Sequence, residues 1–295
     1  MNRSKSIVLL TLCALFWAGN YIFGRMIAGE LTPAWLSFFR WFFAAPILLV
    51  LANKVENPDW RAVASKYKEI FLVSLTGFTG YNLALYTALK YTAATNAALI
   101  TTFSPALMSV VSFFVLGERL NRIQLMGIFM SLVGVLVILS HGDVNNLLSF
   151  SFNTGDLLMF VAVALWITYT MQVKKASVQP LTLTASSAFL AAGTAFLLAC
   201  TDGFDFSGVT VTSVYALIYI VIFPSVCAFI FWSVGVREVG ASMAGIFLNL
   251  VPVFTAIAAV FTGDSLRFDQ LLGGAFVLAG VGMMTFMNKR CSEVK

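Results

Sequence analysis

The sequence predicts an all-α polytopic membrane protein: ten transmembrane helices arranged as two inverted five-helix repeats. Three observations carry this. The chain of 295 residues is 60% hydrophobic and only 11% charged, whereas a soluble domain is about a quarter charged and less than half apolar. Its apolar runs reach about 20 residues, the length that crosses a bilayer core. The stretch 86–134 also has a degenerate copy at 232–280, and an internal repeat of this kind sets the architecture. Lys90 and Pro105 stand 147 residues before Arg237 and Pro252; Gly117-Glu118, Gln124, Gly127 and Gly134 stand 146 before Gly263-Asp264, Gln270, Gly273 and Gly280. A bias in the basic residues then orients the chain.

Ten spans fit at 7–27, 33–52, 69–89, 93–116, 122–140, 155–173, 180–200, 212–235, 240–262 and 268–288. With the N-terminus inside, cytoplasmic segments hold Arg3, Lys5, Lys54, Arg61, Lys66, Lys68, Arg119, Arg122, Lys174, Lys175, Arg237, Lys289, Arg290 and Lys295. External segments hold Arg25, Lys90 and Arg267, and Arg40 falls inside span two. That asymmetry places both termini in the cytoplasm. The net charge of +5 is therefore a topology signal and not a nucleic-acid footprint. Five spans per copy is an odd number, so the second copy enters from the opposite face, the plan of many secondary transporters. The repeats are residues 1–142 and 155–295. The external loop 143–154, which carries no basic residue, joins them.

Span one begins like a signal peptide, but its apolar run continues to Ile27 without a small-x-small cleavage site, so it reads as a retained helix. Trp17, Asn20, Tyr21 and Gly24 share one of its faces by i, i+3, i+4 spacing. In span two, Arg40 lies about 10 Å below the outer end at helical rise. It either snorkels outward or pairs with a carbonyl or a substrate carboxylate. The loop 53–68, with Pro58-Asp59-Trp60 and alternating basic and apolar residues, predicts a short helix at the interface. Span three offers Thr79, Asn82 and Tyr86.

Span four is broken by Pro105, which removes an N–H and frees the carbonyl of Thr101. Pro252 does the same in span nine, freeing Leu248. A freed carbonyl in hydrocarbon needs a donor or a wet cavity, so these matched prolines read as hinges beside a midplane site, against the alternative of simple packing kinks. Glu118 is expected to clip Arg119 or Arg122, and Asp264 to clip Arg267. Gly127 and Gly134 in span five, like Gly273 and Gly280 in span ten, each fall on one helical face. Small residues allow close helix approach in lipid, so spans five and ten pack either on each other or on a second copy in a homodimer. His141 at the end of span five reads as a solvated cap.

Span six offers Trp166, Tyr169 and Thr170; span eight Ser225, Phe229 and Trp232; span nine Gly245 and Asn249. Each intramembrane amide has the alternative of bonding a neighbouring helix. Tyr86 and Trp232, near span ends, have the alternative of interfacial anchors. Cys13, Cys200, Cys227 and Cys291 are scattered and read as inert thiols.

All thirteen carboxylates fall in loops, tails or span ends, where a proton-coupled transporter usually keeps one within the membrane. The chain has no Walker phosphate loop. A membrane-embedded enzyme would need a Ser/His dyad, paired Asp or metal ligands, and no cofactor or metal site is indicated.

Trp17 and Trp166, the run ALKYTAATNAAL at 88–99 before a proline, the clip GERL at 117–120 and glycines nine and sixteen residues after its acid resemble the EamA group of the drug/metabolite transporter superfamily. VREVG at 236–240 and TGDSL at 262–266 repeat the pattern more weakly. The resemblance implies a ten-helix transporter whose central cavity is lined by spans one, three, four, six, eight and nine. It also implies export of amino acids, metabolites or drugs, and within the group the chain is similar to the YddG aromatic amino-acid exporters. Together these readings predict a bacterial inner-membrane exporter of small amphiphilic metabolites, amino acids including aromatic ones foremost, working without ATP as a facilitator. Its substrate contacts are Trp17, Asn20, Tyr21, Thr79, Asn82, Tyr86, Thr101, Trp166, Tyr169, Phe229, Trp232, Leu248 and Asn249. Its partners are that small molecule and the lipid bilayer. The rivals are a nucleotide-sugar or phosphate-ester exchanger, which needs two or more cavity cations, a broad drug exporter, and an assembly subunit.

Overall fold

A chain this apolar satisfies its backbone most simply within each segment, as helix. In the computed structural model, described at residues 3–27, 30–88, 91–92, 97, 100–140, 142–143, 145, 153–203, 207–260 and 267–286, no strand occurs among the described residues. The helices are α1 (Arg3–Ile27), α2 (Pro33–Val55), α3 (Trp60–Ser65), α4 (Tyr67–Val73), α5 (Tyr81–Ala88), α6 (Ser104–Leu116), α7 (Arg122–Leu139), α8 (Thr154–Lys175), α9 (Pro180–Ala199), α10 (Val211–Ile220), α11 (Ala228–Val239), α12 (Ala241–Gly245), α13 (Leu250–Val260) and α14 (Phe268–Phe286). Their starts follow local chemistry. Thr32 caps α2 with Pro33 in the first turn. Capping boxes open α7 (Asn121, Gln124) and α8 (Asn153, Asp156), satisfying N–H groups the helix itself cannot.

By length and composition, eight segments of the described chain are apolar enough to cross a membrane: α1, α2, α7, α8, α9, α10 through α11, α12 through α13, and α14. These coincide with eight of the ten expected spans. Expected span three is the helical path from Tyr67 to Ala88. Of expected span four only part is described, including α6. The expected loop helix forms as α3, capped by Asp59 and pinned by Trp60 Nε1 donating to Asn53 Oδ1 at 2.8 Å. His141, Lys90, Gly263, Asp264 and Cys291 lie outside the described residues. Cys13 is buried and donates to the Ala228 carbonyl at 3.2 Å, and Cys13, Cys200 and Cys227 are free thiols.

Two segments are wound more loosely than an α-helix. Ser74–Gly80, between α4 and α5, and Val221–Cys227, between α10 and α11, are π-helical. In the first the Tyr81 N–H reaches the Thr76 carbonyl, and in the second the Ala228 N–H reaches that of Phe223. The two segments start 147 residues apart, the same separation as Pro105 and Pro252. π-Helices are rare and concentrate at functional sites.

The helices pack in a regular set of pairs: α7 with α14, α2 with α9, α1 with α11, α5 with α8, and α6 with α12. The first pair answers a question left open by the sequence. Spans five and ten pack on each other, and their glycines form the seam. A Cβ on Gly127 would stand 2.7 Å from the Gly280 carbonyl oxygen, and one on Gly134 would stand 2.5 Å from that of Gly273. Only bare backbone allows so close a crossing.

Candidate functional site

A cavity of about 330 Å³ lies among α1, α2, α5, α8, the helix breaks before α6 and α13, and the head of α11. Trp17, Asn20, Asn82, Thr101, Trp166, Phe229, Leu248, Asn249 and Pro252 all line it. Arg40, Tyr81, Thr102, Ser104 and Thr255 complete its polar and aromatic wall, and Leu85, Met159, Val163 and Val251 are among its apolar lining.

The breaks that shape it work as proline dictates. Pro105 sits in the first turn of α6, just after a turn at Phe103, where its missing N–H costs no helical bond. Pro252 sits near the start of α13, behind the 3₁₀ turn Ile246–Asn249. That turn directs the Leu250 N–H back toward the Phe247 and Leu248 carbonyls, so the carbonyl freed by Pro252 has a local donor. Asn249 is held from behind, its Nδ2 donating to Ser131 Oγ at 2.9 Å. Asn82 Nδ2 donates to the Phe78 carbonyl at 2.5 Å in the first π-helical segment.

Beneath the cavity lies an aromatic floor. The Trp17 ring meets Trp166 edge-on at 5.2 Å, and Trp232 lies 5.4 Å from both. Phe229 lies 4.6 Å from Phe78 and 5.1 Å from Trp41. Two expected contacts belong to this floor and not to the wall. Trp232 is wedged under Trp17 and Trp166, and Tyr169 presses on the bare backbone of Gly77, where a Cβ would collide with its ring. Thr79 also misses the wall, because the π-helical segment inserts extra backbone and rotates it away from the face of Asn82. Its hydroxyl meets Thr194 of α9 at 2.8 Å. Pro105 is absent from the wall, which its neighbour Ser104 lines. The Tyr21 and Tyr86 side chains lie outside the described residues.

Arg40 turns inward and is 4% exposed. Its Nε donates to Ser225 Oγ at 2.6 Å, and its guanidinium lies 4.9 Å from the Trp41 ring centre and 5.8 Å from that of Phe229. The support comes from the second π-helical segment. Pro224 lacks the N–H that would bond the Ile220 carbonyl; the Ser225 hydroxyl donates to that carbonyl at 2.7 Å and accepts from Arg40. Trp17 Nε1 donates to the Pro224 carbonyl at 3.3 Å, tying α1 to the same point. Asn20 Oδ1 and Trp166 Nε1 are buried without a hydrogen-bond partner in the protein.

The end of the bundle below the floor is held shut by polar contacts. Lys174 Nζ donates to the Arg237 carbonyl at 2.6 Å, and Arg237 donates to the Val173 and Val178 carbonyls. Three carboxylates accept from backbone N–H groups on later segments: Glu118 from Ala241 and Ser242, Glu56 from Leu181 and Thr182, and Glu69 from Ser177 and Val178. Helix N-termini favour anions. Glu118 thus caps α12 instead of clipping Arg119 or Arg122. Burial pushes its carboxyl up, but the nearby Ser112 hydroxyl and the Ser242 and Ala241 N–H groups outweigh that and hold it below the usual carboxylate range. At the other end Glu30 accepts from Thr210, and hydrogen bonds from Ser213 and the Thr210 N–H lower its pKa. There too Arg267 pairs with Asp269 at 2.8 Å, and that hydrogen bond raises its pKa.

A multi-pass helical bundle with a largely apolar cavity between two helix breaks has the make-up of a membrane transport protein. The chain belongs to the EamA-like transporter family, whose profile matches residues 4–140 and 153–286. It is 33% identical over 293 residues to an uncharacterized transporter of Archaeoglobus fulgidus, covering 96% of this chain and 98% of that one. It is 24% identical to the uncharacterized transporter YyaM of Bacillus subtilis, over 95% of this chain and 93% of that one. It is 26% identical to a probable terminal-alkyne amino-acid exporter of Streptantibioticus cattleyicolor, over 95% and 93%. A solved crystal structure superimposes with a TM-score of 0.81 at 20% identity, over 98% of this chain and 99% of its own, a likeness of fold. The family implies movement of a small molecule across a membrane.

Proposed function

We propose that the protein is a bacterial inner-membrane exporter of amino acids, aromatic ones included, akin to the YddG exporters within its family. In this reading ten spans form two inverted five-helix repeats, with both termini in the cytoplasm. One observation carries it: the cavity lies between the two matched helix breaks, with an aromatic floor and a single charged lining residue, Arg40, among those described. Aromatic wall residues suit an apolar side chain, and hydrogen-bonding groups suit the backbone of an amino acid.

Inversion is supported by the packing. Exchanging the repeats turns the α1–α11 pair into α8–α5 and leaves α2–α9 and α7–α14 as themselves. The two π-helical segments exchange likewise. With the termini inside, the polar network around Glu118 and Arg237 is the cytoplasmic gate and the cavity belongs to the external half. Export then requires that gate to open while the outer contacts close, the alternation common to inverted-repeat transporters. A single cation is too few for a nucleotide sugar or phosphate ester. The relative named as an amino-acid exporter supports the substrate class.

The test is counterflow. Purified protein in proteoliposomes preloaded with unlabelled leucine, methionine, phenylalanine or tryptophan takes up the labelled amino acid without ATP or an ion gradient. If none of the four exchanges faster than in protein-free vesicles, the reading fails.

A further inference from the structure

We infer that Arg40, set by Ser225 and the second π-helical segment, is the carboxylate anchor of the cavity, so that the transported class is defined by a free α-carboxylate. For the transport step this rests on the amino-acid reading above.

A guanidinium inside a membrane protein is costly and marks function by default. Arg40 sits within the predicted span two, is 4% exposed, and borders the cavity instead of snorkelling to an interface. Its surroundings hold it there. The Ser225 hydroxyl bridges Nε to the Ile220 carbonyl, whose α-helical N–H partner Pro224 cannot supply. The faces of Trp41 and Phe229 flank the cation. Fixing Nε fixes the plane of the guanidinium, and a planar fork of donors matches a carboxylate.

The rest of the wall sets the other limits. No Asp or Glu is among the described cavity residues, so a bare amine meets a cation and no anion. A phosphate dianion meets one cation among the described cavity residues. Asn20 Oδ1 is an acceptor without a protein partner, suited to an ammonium, and Trp166 Nε1 is a donor without one, suited to a carboxylate oxygen. Trp17, Trp166 and Phe229 offer ring surface to an apolar side chain. A zwitterion or a simple monocarboxylate fits; an ester or an amine does not.

The experiment is a competition series on the intact protein, read by tryptophan fluorescence in detergent and by counterflow in vesicles. For the tightest-binding of leucine, methionine, phenylalanine and tryptophan, three analogues are compared: the decarboxylated amine, the methyl ester and the acid lacking the amino group. In the wild-type protein the amine and the ester bind at least about 10-fold more weakly than the amino acid, the loss of a charge-assisted hydrogen bond, while the des-amino acid still competes. Arg40→Gln abolishes that discrimination, Arg40→Lys keeps part of it, and Ser225→Ala reduces it. Size-exclusion profiles establish that the variants are folded, and the wild-type series stands without them. An amine or ester that competes as well as the parent overturns the inference, as does Arg40→Gln with its discrimination intact. Amino acids that exchange with no dependence on their carboxylate leave the exporter reading standing and this one fallen. Arg40-dependent binding of the des-amino acid without amino-acid exchange does the reverse. Failure of every compound to bind overturns both.

Discussion

Glu118 lies against Gly240 at the end of the bundle below the floor and accepts from the next two N–H groups. Gly240 has a φ of +93°, which a side chain tolerates poorly, and a Cβ there would stand 2.7 Å from Glu118 Oε1. Gly240→Ala is therefore expected to strain the backbone and push the carboxylate off the α12 cap. Glu118→Gln keeps the shape and removes the charge. Each should destabilise the protein by the worth of a helix cap, about 0.5–2 kcal/mol, seen as a lower thermal midpoint in detergent, and speed labelling of cysteines placed below the floor. The pH sign follows from the lowered pKa. A carboxyl held below its ordinary value of 4.5 contributes its stabilisation above that value and loses it as pH falls through the folded-state pKa. The gate should then be indifferent to pH between about 5 and 8 and loosen only in stronger acid, and the Glu118→Gln protein should lack that acid response. None of this was legible locally, because the acceptor and its donors lie 123 and 124 residues apart in the chain. The adjacent Arg119 looked the nearer partner. Arg40 was legible as a buried charge, but its direction was not, since that depends on a serine 185 residues away.

Among the elements, α7 and α14 show how glycine spacing becomes a joint. Two glycines seven residues apart fall on one face, and the facing helix brings its own pair to meet them. Gly134→Leu should break the crossing and destabilise the protein by about 1–3 kcal/mol, as overpacking does. Gly282→Leu is the control: it lies on the same helix as Gly273 and Gly280 with nothing within 4 Å of a Cβ. Equal melting of the two variants would refute the joint. The glycine period was readable in the sequence; the choice between self-packing and a second copy needed coordinates. The π-helical segments were not read at all. Pro224 and Ser225 stood in plain view, but the first segment, Ser74–Gly80, contains no proline. Its extra backbone explains why a face drawn at 3.6 residues per turn placed Thr79 beside Asn82 and was mistaken.

For the whole molecule, the question is what drives the cycle. The carboxylates named here are engaged at segment ends: Glu30, Glu56, Glu69 and Glu118 on backbone N–H groups of later segments, Asp156 in the capping box of α8 with Thr92. With those groups serving as structural caps and no acid among the described cavity residues, the cycle is expected to run on the substrate gradient alone. Vesicles given an inward or outward pH step should show no accumulation of substrate above equilibrium, and concentrative uptake after such a step would refute it. The all-helical, multi-pass character and the transporter family were the most legible part, because hydropathy and motif order are properties of the chain as a string. The cavity wall was legible where helices are regular and failed where rings stack beneath it, since burial under other aromatics leaves no mark on spacing. The glycine joint has a further consequence. Gly127 rests on Gly280 and Gly134 on Gly273, so each side offers the other the same motif in reversed order. On the inverted-repeat reading proposed above, a half-length ancestor inserted both ways up would have found its mate through this one contact. Fusion of two such genes would then have supplied a tether to an assembly that already existed.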